Sequence, residues 1–466
     1  MFELSRNSPV ALVDQICERV TQLVRAGTLS PGTRLPSIRK LARQVGASPF
    51  TVVDAYDRLV ARGLIESRAG RGFFVTQQRL AAPLVAIEGS VADASDAVSL
   101  AQLCLAPCSD IVPAGSGFLP ENWLLDGACA SVLRRLSLRR GTQPWLPCPA
   151  QGLPALREQI ATRLVQHGVA AGAANIMTTY GASHAFDLLA RLLLAPGDAV
   201  LVEDPGYFVL FEQLRAHHVR LIPVPRHAEG PDLEALEAAC RAHHPRAFFM
   251  QTLVHNPTGW SAEPAHCHRI LSLAERYGFA MIEDDVYGDL YEGSAVRLAQ
   301  IDGLRQVVYV GSYTKLIGPA LRVGYVAADA ALIARLTERK VLSVLSGSAL
   351  LESFVSEMLD GGRYKRHVAE VRARLARMRG AARSALESAG IAFSGAAGEG
   401  MFLWGRVPDA APVEELVRRA RAQSILLARG TLFSAGGGCG QWLRFNVAHS
   451  NSPPLVEFLR GALRAA

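Results

Sequence analysis

No stretch of this 466-residue chain is apolar for long enough to cross a bilayer. The longest candidate, Ala97 to Ser109, has 13 residues where a membrane helix needs about 20. The opening MFELSRNSPVALVDQICERV is charged where a secretory leader is apolar, so no leader is expected. Cysteine is scarce: 8 residues, irregularly spaced and without a Cys-x-x-Cys pair, which argues against a zinc site and a disulfide framework. No internal repeat is evident, which excludes repeat arrays. These absences leave a soluble cytoplasmic protein with reduced thiols and no membrane partner as the expectation. What the chain does have is apolar mass. Hydrophobic residues make up 50%, enough for a large core and too much for a mainly disordered chain. At roughly 100–200 residues per domain, the length implies more than one domain.

The formal charge of +7 is unevenly placed. Residues 1–78 hold 11 Arg and Lys against 6 Asp and Glu, whereas the other 388 are almost balanced at 38 against 36. A small basic domain beside a neutral large one points to a polyanion partner for the first.

Pattern sharpens that reading. Val10 to Ala26 places Leu12, Val13, Ile16, Val20, Leu23 and Val24 on one helical stripe ended by Gly27. After the turn-rich TLSPGTRLP, Ser37 caps a helix IRKLARQV closed by Gly46. Ser48 then caps a third helix with Pro49 at its first position, and Gly63 stops it near Arg62. Two short helices about three residues apart follow helix-turn-helix grammar. LIESRAGRGFFV reads as a β-hairpin wing with Arg68 and Arg71 at its tip. In a major groove the third helix would bring Ser48, Phe50 and Thr51 near base edges. Arg34, Ser37, Arg39 and the wing arginines would hold phosphates. The alternative is a three-helix protein-interaction module whose arginines only solvate a face.

The block resembles the winged-helix head of GntR-type bacterial regulators. The resemblance rests on Pro31-Gly32, Arg34 to Ser37, Arg39, Leu41-Ala42, Ser48, Thr51-Val52, Tyr56, Leu59, Gly63 to Ile65 and Gly70 to Gly72. It implies double-stranded DNA as the partner of residues 1–76. Relatives often carry Arg after the capping Ser, and here Pro49 stands there, so base preference does not transfer. Residues 77–110, Ala-rich and weakly charged, read as a linker, part of which could be helical.

From Gly152 onward, helical stretches alternate with the apolar runs AVLVEDP, AFFMQTLV, FAMIEDDVY, VVYVGSY and RVGYVAA. That rhythm implies an α/β fold with a mostly parallel sheet, whose ligands sit at the carboxyl ends of strands. Polar residues gather at those ends. Thr179 to His184 feeds a helix, whose free N–H groups suit a phosphate, though an ordinary capped helix reads the same way. Tyr207, after Asp204-Pro205-Gly206, could stack on a flat ring or simply pack. Asn256, in His255 to Gly259, could donate to a phenolate oxygen or close an Asx turn. Of the carboxylates in Ile282 to Tyr287, one could hold a pyridine nitrogen protonated. Metal binding competes there, without a nearby His-rich set to support it. Lys315, in Ser312-Tyr313-Thr314-Lys315, ends an apolar strand, so it either reaches solvent or has the lowered basicity of Schiff-base chemistry. Ser312 and Arg322 could complete a phosphate cup. Arg444, in QWLRFNVAH, is a cation inside an alternating strand; the plain alternative is an edge-strand arginine reaching solvent.

In order and spacing, Gly181 to His184, Tyr207, Asn256 to Gly259, Asp284 with Tyr287, Ser312-x-x-Lys315, Arg322 and Arg444 resemble the fold-type I aminotransferases, over residues 111–466. The resemblance implies a pyridoxal 5'-phosphate cofactor, a large part at about 152–345 and a small α+β subdomain at about 346–466. Lys315 would hold the cofactor covalently and Asp284, with Asp285 as its rival, would pair with the pyridine nitrogen. Asn256 and Tyr287 would bond the phenolate oxygen and Tyr207 would stack. Ala182, Ser183, Ser312 and Arg322 would take the phosphate, and Arg444 a substrate carboxylate. A Tyr that in many relatives reaches the neighbouring subunit's phosphate has no counterpart in Pro144 to Gly152, and Ser183 stands where Gln is common.

A GntR-like head on such a body resembles the MocR-type regulators. That implies a homodimeric transcription regulator sensing an amino compound or the cofactor itself. The rival expectation is a working aminotransferase carrying a DNA-binding head.

Overall fold

The computed structural model describes residues 11–25, 28–76, 97–105, 111–124, 127–138, 146–293, 296–393 and 398–464. They form two compact units, Met1–Ser90 and Val91–Ala466.

The first unit holds α1 (Leu12–Arg25), α2 (Ile38–Val45), α3 (Pro49–Ala61) and the antiparallel hairpin β1 (Ile65–Arg68) and β2 (Gly72–Val75). The caps expected at Ser37, Gly46 and Ser48 have a physical cause, whereas Val10, Ala26 and Gly27, at the ends expected for α1, lie outside the described residues. Ser37 accepts from the Lys40 N–H and Ser48 from that of Thr51, caps worth about 1 kcal/mol each. Gly46 closes α2 in the left-handed conformation that glycine adopts freely. Ile16, Val20, Leu41, Val52, Tyr56, Leu59, Ile65 and Val75 make its core. The Tyr56 hydroxyl donates to the Pro36 carbonyl at 2.8 Å, tying α3 to the turn before α2.

The second unit is built on eight strands, β3 (Ile176–Thr179), β4 (Ala199–Asp204), β5 (Arg220–His227), β6 (Gly230–Pro231), β7 (Ala247–Met250), β8 (Ala280–Asp284), β9 (Val307–Ser312) and β10 (Gly324–Ala327). Their order is β3-β10-β9-β8-β7-β4-β5-β6. The pairs from β5 through β9 are parallel, while β10 runs antiparallel to both β9 and β3. Successive residues feed different cores: Leu201, Phe248, Met281 and Val307 one, Val200, Phe249, Ile282 and Val308 the other. Both faces are covered, which is why these strands read as continuous apolar runs. A smaller antiparallel sheet, β11 (Phe402–Arg406), β12 (Ala428–Arg429) and β13 (Trp442–Asn446), has β13 in the middle.

The linker reading differs from the structure at Ala97–Leu105, which forms helix α4. Ala97 and Leu100 are buried against Phe208, Trp404 and Phe433, so this part belongs to the body. Residues 77–96 and 106–110 lie outside the described residues, as do Pro144 and Trp145. Among the described residues no helix is long and apolar enough to cross a membrane.

Candidate functional site

A cavity of about 370 Å³ opens at the carboxyl ends of the central strands. Its lining brings together Ala182, Ser183, Tyr207, Asn256, Asp284, Tyr287, Ser312, Lys315, Arg322 and Arg444, which lie up to 262 positions apart in the chain. Sheet register explains the convergence. Gly324 pairs with Thr179 on one side and Ser312 on the other, so the ends of β3 and β9 lie abreast. A Cβ on Gly324 would stand 2.8 Å from the Gly181 carbonyl carbon; glycine there lets the turn into helix Gly181–Leu193 lie against the sheet. Gly181 itself has φ +72°, and a Cβ on it would meet the Arg322 guanidinium at 2.8 Å. That guanidinium donates to the Tyr180 carbonyl at 3.1 Å, at the helix N-terminus. Free N–H groups, the positive end of the helix dipole, Ser183, Ser312 and Arg322 thus surround one corner, a setting for a dianion. Thr314, on the same lining, has a buried hydroxyl without a partner.

Across the cavity, Asp284 accepts from the Gln251 side-chain amide at 2.8 Å and from the Val286 N–H at 3.2 Å. Among the described residues no cation pairs with it. Burial, reinforced by the neighbouring carboxylates of Asp285 and Glu203, pushes its carboxyl up to about 7. Asp285 is placed otherwise: Arg297 Nε lies 2.7 Å from it, Tyr309 donates to it, and it stays off the lining. Asn256 accepts through Oδ1 from Arg444 at 2.9 Å, which leaves its amide hydrogens for the cavity. Burial holds the Tyr287 phenol protonated. Tyr207, its phenol pushed up to about 12 by burial, also bonds Ser183.

Lys315 donates to the Gly117 carbonyl at 3.0 Å, its ammonium 4.4 Å from the Phe118 ring centre. Burial, with Arg444 and Arg322 nearby, lowers it to about 8, so the neutral amine is more accessible near neutral pH than for an ordinary lysine. A Cβ on Gly117 would lie 3.6 Å from Lys315 Nζ and 3.8 Å from Arg444 Nη2. Glycine therefore keeps open the gap between the amine and the guanidinium.

Arg444 corrects the edge-strand alternative. It sits on the central strand β13, flanked by Trp404 and Ala428, and is 2% exposed. Its guanidinium lies among Phe402 (4.5 Å), Phe433 (4.8 Å) and Phe208 (6.0 Å). It donates to Asn256 and to the Gly115 carbonyl at 2.6 Å; among the described residues Nε has no partner and no carboxylate neutralises it. A buried cation of this kind requires an anion from elsewhere.

Sequence reasoning missed Gln251, Gly117, Phe118, Cys104 and Asn446. Gln251, with Thr252, interrupts the apolar run AFFMQTLV, a signal that could have marked it. Asn446, buried on the same side of β13 as Arg444, donates to the Ser116 and Phe118 carbonyls at 3.0 and 2.8 Å and fixes the Gly117 segment. Among the described residues no group of three or more His, Cys, Asp and Glu is placed to hold a metal.

On the first unit, Phe50 is 81% exposed, and Arg34, Ser37, Arg39, Ser48, Arg68 and Arg71 are exposed to varying degrees, with Thr51 half-buried. The Ser48 and Thr51 hydroxyls bond each other at 2.7 Å within the cap. Arg68 is paired with Glu66 at 2.6 Å and lies over Phe74, whereas Arg71 has no carboxylate partner among the described residues. Arg34 lies beside Gly72 of the wing.

An open-faced winged helix and a cofactor-sized cavity at the strand ends of a mixed α/β sheet define a two-part class of protein. Residues 130–460 match the model of aminotransferase class I and II, and residues 12–75 that of the bacterial regulatory proteins of the gntR family. The chain belongs to the class I and II aminotransferase family and carries a gntR-type helix-turn-helix domain. It is 29% identical to YdcR, an uncharacterised HTH-type transcriptional regulator of Escherichia coli, over 93% of this chain and 94% of that one. It is 28% identical to MocR, a probable rhizopine catabolism regulatory protein of Rhizobium meliloti, over 80% and 76%. Its body is similar to the crystal structure of LysN, the α-aminoadipate aminotransferase of Thermus thermophilus complexed with N-(5'-phosphopyridoxyl)-L-leucine. There the TM-score is 0.71 and the identity 25%, covering 79% of this chain and 96% of that one.

Proposed function

We propose that this chain is a DNA-binding transcription regulator whose body holds pyridoxal 5'-phosphate at Lys315 and senses an amino compound or the cofactor itself. One observation carries the reading: a single cavity joins a lysine of lowered basicity to a buried carboxylate and a buried guanidinium, neither with a counter-ion among the described residues. The residues fit the cofactor. Ala182, Ser183, Ser312 and Arg322 would hold its phosphate, Asp284 its ring nitrogen, Asn256 and Tyr287 its phenolate oxygen, and Tyr207 a ring face. When bound, the cofactor supplies an aldehyde carbon and an electron-accepting ring. The chain's own contributions are an amine of lowered basicity at Lys315, a buried carboxylate at Asp284 and a carboxylate anchor at Arg444. Asp285, already paired with Arg297, is not free for the ring.

The head supports DNA as partner: Phe50 and the capped start of α3 would face base edges, and Arg34, Arg39 and Arg71 would hold phosphates. We infer a homodimer as well. Leu342 and Leu345, 79% and 73% exposed at the end of helix Ala330–Val344, offer apolar surface for a second copy to cover. We place such a regulator in the cytoplasm. A working aminotransferase with an attached head is the second reading, favoured by the residues of amino-group exchange lining one cavity.

The purified protein should be yellow, and borohydride should attach the cofactor to the peptide bearing Lys315. Lys315→Ala should remove the visible band; an unchanged spectrum in that variant defeats the assignment.

A further inference from the structure

With a ligand's amine beside Lys315 and its carboxylate on Arg444, its side chain remains to be placed. That part would face α4. Ala97, Leu100, Ala101 and Cys104 recur at helical spacing and turn one stripe of α4 toward the body. Ala97 and Leu100 at its start anchor the helix on the Phe208, Trp404 and Phe433 cluster. Ala101, Cys104 and Leu105 beyond them line the cavity, together with Phe118, Phe208 and Val209. The sequence of α4, AVSLAQLCL, carries no charge.

The charged groups on the lining are Asp284, Lys315, Arg322 and Arg444. In the proposed reading each already faces another part of the cofactor or ligand, so none among the described residues remains for a charged side chain. A second carboxylate or an ammonium group would be desolvated against α4 without a partner.

We propose that α4 forms a side-chain subsite selecting an α-amino acid with a medium or large apolar side chain. This rests on the reading of Lys315 and Arg444 given above. The subsite is made by Ala101, Cys104 and Leu105, and only the first carbons beyond the α-carbon of an acidic amino acid would suit it.

The test uses full-length protein loaded with pyridoxal phosphate, titrated with L-leucine, L-phenylalanine, L-alanine, L-aspartate, L-glutamate and L-lysine while the visible band is followed. Leucine or phenylalanine should bind tightest, about tenfold or more ahead of alanine. The charged amino acids should trail by about a hundredfold. Cys104→Arg should weaken leucine and strengthen aspartate or glutamate. Absence of any visible band in the wild type would defeat the site reading itself. A band that responds best to a charged amino acid, to all equally, or to none would overturn the subsite and leave the cofactor site standing. The wild-type panel decides the matter even if Cys104→Arg does not fold.

Discussion

Gln251, at the end of β7, donates its side-chain amide to Asp284, at the end of β8, across 2.8 Å. The same side chain accepts from the Asn256 N–H at 2.8 Å, so one residue orients both the proposed ring-nitrogen partner and the proposed phenolate donor. Its amide stabilises the charged form of this carboxylate and opposes the burial that raises it to about 7. Cofactor pairing needs that charged form, so affinity for pyridoxal phosphate should fall as pH drops below about 7. Gln251→Leu removes a hydrogen bond to a charged group, worth about 1.5–3 kcal/mol, and should weaken the cofactor tenfold or more. It should also move the acid limb upward in pH; Gln251→Glu should not restore it. Cofactor titrations by absorbance from pH 5.5 to 9 decide this.

Arg444 should be separable from cofactor binding. Arg444→Leu leaves the Asn256 Oδ1 and Gly115 carbonyl without their donor and removes the proposed carboxylate anchor. Losing one partner of a buried charged contact costs about 2–5 kcal/mol, so amino-acid affinity should fall at least thirtyfold while the visible band persists. Loss of the band together with the response would place Arg444 in the structural frame instead.

Gly324 tests the geometry of the phosphate corner. With a Cβ 2.8 Å from the Gly181 backbone, Gly324→Ala should destabilise the protein by about 1–3 kcal/mol and weaken the cofactor. Urea unfolding and cofactor titration of the variant, both unchanged, would show that the turn yields without penalty.

The wing arginines should differ. Arg71→Ala in the full-length protein should lower the slope of log affinity against log salt by about 1 if Arg71 meets a phosphate. Arg68→Ala should change it less, because Glu66 already neutralises Arg68. Equal slopes for Arg71→Ala and wild type would make Arg71 ordinary surface charge.

Ser312, Lys315, Asp284 and Asn256 were legible because each polar side chain follows an apolar strand, where a buried cation or carboxylate stands out. Cap and turn residues such as Ser37, Ser48 and Gly46 were legible because their chemistry is local. What needed the structure was long-range. The stripe Ala97, Leu100, Ala101 and Cys104 means little until Phe208 and Phe433 provide a surface to pack on, so α4 reads as linker. One strand's pattern does not tell a central arginine from an edge one, which left Arg444 ambiguous. Nor does it give direction: β10, covered on both faces, looks like its parallel neighbours although it runs against β9. Gly117 reaches the site on a segment that Asn446 helps hold, donating to the Phe118 carbonyl from 328 positions away.

The regulator reading stands or falls on coupling between the two ligands. Amino-acid affinity should be measured through the visible band, with full-length cofactor-loaded protein alone and then saturated with DNA carrying its selected binding sequence. The account predicts a change of about fivefold or more, matched by an equal change in DNA affinity when the amino acid is present, because linkage is reciprocal. Identical amino-acid affinity in both conditions would contradict it and leave the aminotransferase reading in its place.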